Sequence, residues 1–403
     1  VSAPQDGGSA PALTLDFTSV SPDSGGVGVV AAGVAEGLAA AGIPFRCLVN
    51  AEAANAWAER LPRLPDAIVP VTISLSATSR WQRALRRVIP RSSPLAQALI
   101  GRVRAIRARS TAATLGNGVV WQPFHRVPLG GGRTAVTVHD LRVFEPGLAS
   151  PMDQEIITRN VDAAAAVICS WAHPYGSLIE RFPAAASKTF LIPLPVLNSG
   201  PWTDRPTPNS GRLRLLLPGF VTPHKNHEVL VRALPRLSGA TAVFTGAEDG
   251  KQGEQLRALA AELGVADRIE WLGFVDAERL EAEYAAADLL VMPTRWEAAS
   301  GPVFEAIVRG LPFVASRIPP LTAQLETLGL ATPTFDPDSP EELVEAIHSV
   351  LDDHAGIVER LRPLSAELRA RTWQQMAEEY QQVFAWAGGR GPRPDHLRRG
   401  AHA

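Results

Sequence analysis

The chain is 403 residues long, 46% apolar and 20% charged, with a formal net charge of −2. At about 150 residues per domain this length predicts two domains, and the apolar content excludes disordered, collagen-like and low-complexity classes. No apolar run approaches the roughly 18 residues of a membrane span; the longest, Ala163–Cys169 and Ala285–Pro293, have the size of buried strands. The opening VSAPQDGGSAPAL has no basic stretch followed by an apolar core, so no secretory signal is expected. Cys47 and Cys169 stand in apolar surroundings and read as reduced core thiols of a cytoplasmic protein.

In chain order, Leu13–Thr18 reads as a strand, SPDSGGVG as a glycine-rich turn and Val27–Ala41 as a helix, closed by Gly42 before the strand Phe45–Val49. Val119–Phe124, Thr134–His139, Ala165–Ser170 and Phe190–Ile192 read as further buried strands. The Pro-rich stretch Pro193–Gly211 reads as a linker. A second series follows: strands at Arg214–Leu217, Ala240–Thr245, Ile269–Leu272, Leu289–Met292 and Phe313–Ala315 alternate with helices at Glu228–Leu237, Lys251–Leu263, Ala277–Ala286, Gly301–Arg309 and Glu341–Leu351. Such alternation predicts an α/β protein with parallel sheets covered on both faces. The expected organisation is an N-terminal domain over residues 1–200, a C-terminal domain over 211–370, a helix over 373–387 that packs back on the first, and a disordered tail over 388–403. In doubly wound sheets ligands bind beyond the carboxyl ends of the strands, where the polar motifs of this sequence fall.

The most informative stretch is Pro293–Arg317, PTRWEAASGPVFEAIVRGLPFVASR. Ser300 and Gly301 stand where a helix N-cap belongs, with Pro302 in the first turn, where its missing N–H costs nothing. The N–H groups of Gly301, Val303 and Phe304, with the helix dipole, would make an anion site suited to a diphosphate. Glu297 and Glu305 stand eight apart; were both helical, about 12 Å of axis would separate them, too far to chelate one metal. With one on the loop and one inside the helix, they would bracket an elongated ligand. The stretch Gly219–His227, GFVTPHKNH, follows another strand and precedes a helix, so Lys225 and His224 would neutralise a phosphate there.

Taken together these motifs resemble glycosyltransferase family 4, the retaining, sugar-nucleotide-dependent transferases of GT-B fold. The resemblance rests on a Glu-x7-Glu pattern (EAASGPVFE), the run EAIVRGLPFVAS, a Gly-x5-Lys element from Gly219 to Lys225, the turn Gly273–Val275, the loop Ser24–Gly28 and the pair His139-Asp140. It spans about Leu13 to Trp386. It implies two Rossmann-like doubly wound domains facing a cleft. It also implies that Glu305 accepts from ribose hydroxyls, that Glu297 holds the donor sugar, and that Lys225, His224 and the Gly301–Val303 amides bind the diphosphate. Ser300, Pro302, Gly219 and Gly246 belong to the donor-binding set, and Phe274 and Val275 border the base. Gly25 and Gly26 would admit phosphates or acceptor to the first domain, and His139, followed by Asp140, would sit under the sugar near the reacting centre. Two departures stand out: Phe220 occupies a position where many members carry Arg, and the loop EAAS replaces the commoner Glu-Gly-Phe-Gly.

No metal or other cofactor is expected. The Asp336–Asp338 pair, which could suggest a metal, precedes Pro340 and two glutamates and reads as a helix start. The expected partners are a nucleotide-sugar donor and an unidentified hydroxyl acceptor, and nucleic acid is not among them. Between Ala67 and His139 there are 11 arginines and no Asp or Glu, which leaves −13 for the rest of the chain. Apolar residues recur there at helical spacing among arginines, so the segment Arg80–Arg109 would dock on an anionic membrane surface or grip an anionic acceptor. Sugar-nucleotide hydrolysis or epimerisation on the same fold, and a non-catalytic sugar-nucleotide-binding homologue, are the alternatives.

Overall fold

A computed structural model describes residues 13–23, 25–71, 118–125, 133–145, 147–208, 210–248 and 250–398. The basic segment Arg80–Arg109 and Ser24 of the glycine loop lie outside the described residues. Contacts divide the chain into two compact units, residues 1–194 with 372–403, and residues 195–371.

The first unit is built on seven parallel strands: β1 (Leu13–Phe17), β2 (Arg46–Asn50), β3 (Ile68–Val71), β4 (Val119–Gln122), β5 (Arg133–Val138), β6 (Ala166–Cys169) and β7 (Thr189–Leu191), in the order β3-β2-β1-β4-β5-β6-β7. β1, β4 and β6 are buried at every position, as strands covered on both faces must be. The helices are α1 (Gly26–Ala40), α2 (Ala54–Arg60), α3 (Pro151–Ala163) and α4 (Ala172–Arg181). The glycines of α1 have a packing reason. A Cβ on Gly33 would lie 2.4 Å from the Trp373 ring, and one on Gly37 2.2 Å from the Trp373 carbonyl oxygen. Trp373 opens a late helix that returns to this unit over Trp373–Ala387, capped at Thr372 by a reciprocal Thr–Gln box.

The second unit holds β8 (Arg214–Pro218), β9 (Thr241–Thr245), β10 (Ile269–Gly273), β11 (Leu289–Met292), β12 (Phe313–Ser316) and β13 (Thr334–Phe335), all parallel, in the order β10-β9-β8-β11-β12-β13. Around them lie α5 (His227–Ala233), α6 (Gly250–Glu262), α7 (Ala277–Ala286), α8 (Gly301–Val308), α9 (Pro319–Thr327), α10 (Pro340–Asp352) and α11 (His354–Ala370); the Trp373–Ala387 helix is α12. In each unit the strand order reverses direction once, between β1 and β4 and between β8 and β11, which makes those two places the expected ligand crevices.

Two sequence expectations need correction. The Pro193–Gly211 stretch is not a free linker: the second unit begins at Pro195, and Trp202 packs on its core and within 3.0 Å of where a Gly310 side chain would start. The tail from Gly388 is ordered as far as Arg398. Arg133 donates to the Gly388 carbonyl, and a short turn over Asp395–Arg398 buries Leu397.

Candidate functional site

At the crevice of the second unit, three glycines close the carboxyl ends of β8, β9 and β10. Gly219 (φ 124°) donates to the Thr245 carbonyl at 3.0 Å, and Gly246 (φ 104°) donates to the Gly273 carbonyl at 2.5 Å. A Cβ on Gly246 would sit 2.5 Å from the Gly219 carbonyl, so the two backbones touch because neither residue carries a side chain. Phe220 and Phe274, which follow Gly219 and Gly273, are 55% and 80% exposed and belong to neither core. Val275 is half-buried beside Phe274.

The loop after β8 is tied to the loop after β11 through backbone. The His224 carbonyl accepts from the Arg295 N–H at 2.8 Å and from the Thr294 hydroxyl at 2.9 Å. Asn226, in the left-handed region at φ 56°, donates its carboxamide to the carbonyls of Pro293 and Pro337 at 3.0 and 2.6 Å. This clip brings Lys225 Nζ onto Glu297 Oε1 as an ion pair, both side chains being mostly buried. The His224 ring shares a hydrogen bond with the Thr222 hydroxyl at 3.2 Å.

Ser300 caps α8, its hydroxyl accepting from the Val303 N–H at 3.3 Å while its carbonyl accepts from Phe304 at 3.4 Å. The side chain of Gln324, on α9, grips the Ser300 N–H at 2.7 Å and the Ser300 carbonyl at 3.2 Å. This corrects the expected anion cradle. The Val303 and Phe304 amides are occupied by Ser300, and Pro302 has none, so Gly301 supplies the remaining amide of that turn. Glu305, one turn on, is partly buried; burial raises its carboxyl pKa, and the Tyr284 hydroxyl, donating to Oε2 at 2.8 Å, opposes that rise.

At the crevice of the first unit, Gly25 (φ 57°) and Gly26 are exposed at the start of α1. His139 follows β5. Its Nε2 lies 2.9 Å from the Pro123 carbonyl, which can only accept, so Nε2 carries the proton. Its backbone N–H donates to His125 Nδ1 at 3.3 Å, and Asp140 turns back to accept from the Arg142 N–H at 3.2 Å. Asp16, at the end of β1, was missed by sequence reasoning although it is the one acid among the apolar residues of that strand. It is buried, its pKa is raised by that burial, and both the hydroxyl and the N–H of Thr18 donate to its Oδ1.

The predicted residues therefore assemble as two sets. Gly219, His224, Lys225, Gly246, Phe274, Val275, Glu297, Ser300, Gly301, Pro302, Val303 and Glu305 belong to the second unit, while Gly25, Gly26, His139 and Asp140 belong to the first. Gln324, Tyr284 and Arg309, which frame the second set, carry no local motif. Among the described residues no three His, Cys, Asp or Glu side chains cluster to hold a metal. Asp338 pairs instead with Arg295 at 2.9 Å, Asp336 accepts from the Asp338 N–H, and Ser339 caps α10. No described helix is long and apolar enough to cross a membrane.

Comparison with solved structures shows the fold. HepE of Anabaena in complex with UDP matches over 93% of this chain and 99% of its own at TM-score 0.66 and 17% identity. Sucrose-phosphate synthase of Thermosynechococcus elongatus matches over 94% and 99% at TM-score 0.67 and 18% identity. The chain thus has the GT-B fold of two Rossmann-like α/β domains. Among curated proteins, the 2-deoxystreptamine glucosyltransferase of Streptomyces kanamyceticus is 33% identical over 167 residues, 40% of each chain. The GDP-mannose-dependent alpha-(1-6)-phosphatidylinositol monomannoside mannosyltransferase of Mycobacterium tuberculosis is 29% identical over 249 residues, 55% of this chain and 60% of the relative. The matches thus span 40 to 60% of the length of these relatives. Residues 202–370, nearly all of the second unit, match the family of glycosyl transferases group 1.

Proposed function

We propose that the protein is a retaining glycosyltransferase of family 4 type that moves a sugar from a nucleoside diphosphate donor, a UDP- or GDP-sugar, to an alcohol acceptor. The observation that carries this reading is the Lys225–Glu297 ion pair between the loops that follow β8 and β11, just before the Ser300-capped helix α8 that carries Glu305. UDP in the solved neighbour and GDP-mannose in the name of a relative support a nucleotide-sugar donor.

The chemistry follows from charge. As the glycosidic bond breaks, negative charge builds on the departing diphosphate, and fixed donors aimed at it stabilise the transition state more than the ground state. Lys225, the Gly301 N–H and the α8 dipole supply that stabilisation without a metal. Glu305 binds the ribose and Glu297 the donor sugar. Attack comes from the leaving-group face, and the departing phosphate oxygen takes the acceptor proton. His139, with its proton on Nε2, is the catalytic side chain this reading assigns to the first unit. The acceptor belongs to polysaccharide, glycolipid or natural-product glycoside synthesis. The arginine-rich segment, read from sequence, favours an acceptor at an anionic membrane surface on the cytoplasmic side.

The test is thermal unfolding with UDP, GDP, ADP and dTDP, with and without EDTA, followed by turnover with the sugar donors of the responding base. A ligand at 100 times its Kd adds about 2.7 kcal/mol. One base should raise the midpoint regardless of EDTA, and its sugar donor should yield a new glycoside. Free sugar alone would make the protein a hydrolase, and binding without turnover a sugar-nucleotide-binding homologue.

A further inference from the structure

The carboxylate of Glu305 is held by a residue from a different helix. Tyr284, in the last turn of α7 and fully buried, donates its hydroxyl to Glu305 Oε2 at 2.8 Å. Burial and the facing carboxylate hold the phenol well above its ordinary pKa, so it remains a donor across the physiological range. The Arg309 guanidinium lies over the same ring, 4.5 Å from its centroid. Arg309 is itself fully buried, its Nε and Nη2 gripping Glu281 at 2.5 to 3.1 Å while Nη1 donates to the carbonyls of Glu305 and Asn198 at 2.9 Å. The series Glu281–Arg309–Tyr284 thus fixes Glu305 at both its carboxylate and its main chain.

A free glutamate carboxylate turns readily about its last torsion and offers either oxygen in a broad range of directions. One with a fixed donor on Oε2 keeps that oxygen engaged and leaves Oε1 for a second partner. A ribose diol needs an acceptor held in one place, since each misaligned hydrogen bond weakens steeply. We propose that Tyr284 is a positioning residue for nucleotide recognition: its hydroxyl commits Glu305 Oε2 and so presents Oε1 to the ribose hydroxyls. The inference rests on Glu305 being the ribose-binding carboxylate of the proposed donor site. Tyr284 itself touches no ligand.

The test compares the affinity of UDP, GDP and ADP with that of their 2′,3′-dideoxy counterparts. The wild-type protein should favour the ribose form of one base by about tenfold or more, the worth of one good hydrogen bond to a charged group. Tyr284→Phe keeps the ring under Arg309 and removes only the hydroxyl. It should reduce that preference to about threefold or less while leaving dideoxy affinity within about twofold, a pattern that loss of packing would not produce. Glu305→Gln provides a second variant. Tyr284 should pin the amide oxygen, turn the NH2 group outward, and remove the preference; adding Tyr284→Phe should free the amide to flip and restore part of it. An unchanged preference in Tyr284→Phe, or no regain in the double variant, overturns the inference and leaves the donor site standing. A wild-type protein that binds none of the nucleotides overturns the donor site, and this inference with it.

Discussion

Lys225 and Glu297, 72 residues apart and read from sequence as ligands for different parts of one substrate, form an ion pair with each other. Their loops follow β8 and β11, and the His224 carbonyl binds those loops together. On the proposed function, a diphosphate bound at Lys225 would have to draw it away from Glu297 or share it. The pair keeps a mostly buried cation and anion satisfied, which removes the cost of an unpaired buried charge.

Competition for Lys225 gives the first prediction. Glu297→Gln should tighten UDP or GDP binding several-fold, because the lysine is no longer engaged, while sugar transfer falls by about 100-fold or more. Lys225→Met should weaken the same nucleotide by about tenfold or more. Isothermal titration beside a turnover assay separates the two effects. Equal loss of nucleotide binding in both variants would show that the pair is structural and not a shared ligand set.

A second prediction concerns acid. His227 is buried beside this loop, neither ring nitrogen has a hydrogen-bond partner, and the ring meets Phe244 edge-on at 4.9 Å. Burial, then Lys225 and His224, lower its pKa from 6.5 to about 3. The folded protein holds the neutral ring and the unfolded chain takes the proton, so this stability is fully present above pH 6.5. It is lost progressively as pH falls from 6.5 towards 3. His227→Leu should remove the dependence. Between pH 7.5 and 5 the wild-type protein should lose about 2 kcal/mol more than the variant, measured from urea unfolding midpoints. Parallel losses would exclude His227 as the acid-sensitive group.

Much of the second unit was legible because its signals are local. The interiors of β8, β9, β11 and β12 are wholly apolar, and Ser300 followed by Pro302 announces the start of α8, as Ser339 and Pro340 announce α10. The first unit was harder to read. Its α3 has only Ile157, Asn160 and Val161 buried, so helical periodicity barely registers, and β3 is half exposed. In the site, the residue types at the crevice were readable but their partners were not. Gln324 reaches Ser300 from 24 residues away, and Tyr284 reaches Glu305 from 21 residues away. The same limit explains the anion cradle: the cap that marks the helix start also consumes the Val303 amide.

The glycines at the crevice differ in what surrounds them, and that gives a third prediction. Gly219 and Gly246 both have φ beyond 100°, where an L side chain is strained by about 1 to 3 kcal/mol. Around Gly219 the nearest atom to an added Cβ is the Lys225 Cε at 3.8 Å, whereas at Gly246 it is backbone at 2.5 Å. Gly219→Ala should therefore cost only the strain. Gly246→Ala must also push the β8 loop aside, so it should be more destabilising in thermal unfolding and should abolish nucleotide binding. Equal costs would mean that the two loops move apart freely.

The fourth prediction addresses the metal. Asp338 pairs with Arg295 on the surface, an exposed contact worth at most about 1 kcal/mol. Asp338→Ala should leave nucleotide affinity unchanged and stability within that margin, and EDTA should leave turnover intact. A requirement for Mg²⁺ or Mn²⁺ that this variant abolishes would make the Asp336–Asp338 pair a metal site after all.

The last prediction follows from the buried cation. The Arg309 side chain is 1% exposed, and Glu281, at 31%, is the carboxylate that grips it. Removing one member of such a pair leaves the other charge uncompensated and costs about 3 to 5 kcal/mol, whereas removing both costs less because no orphaned charge remains. Glu281→Gln should accordingly destabilise the protein more than Glu281→Gln combined with Arg309→Met, even though the double variant has lost twice as many polar groups. The remaining penalty of the double variant comes from the Asn198 and Glu305 carbonyls, which lose the Nη1 donor. Urea unfolding of the single and double variants measures the coupling. Additive losses would mean that water, not Glu281, compensates the guanidinium, and that the brace on Glu305 is looser than these contacts imply.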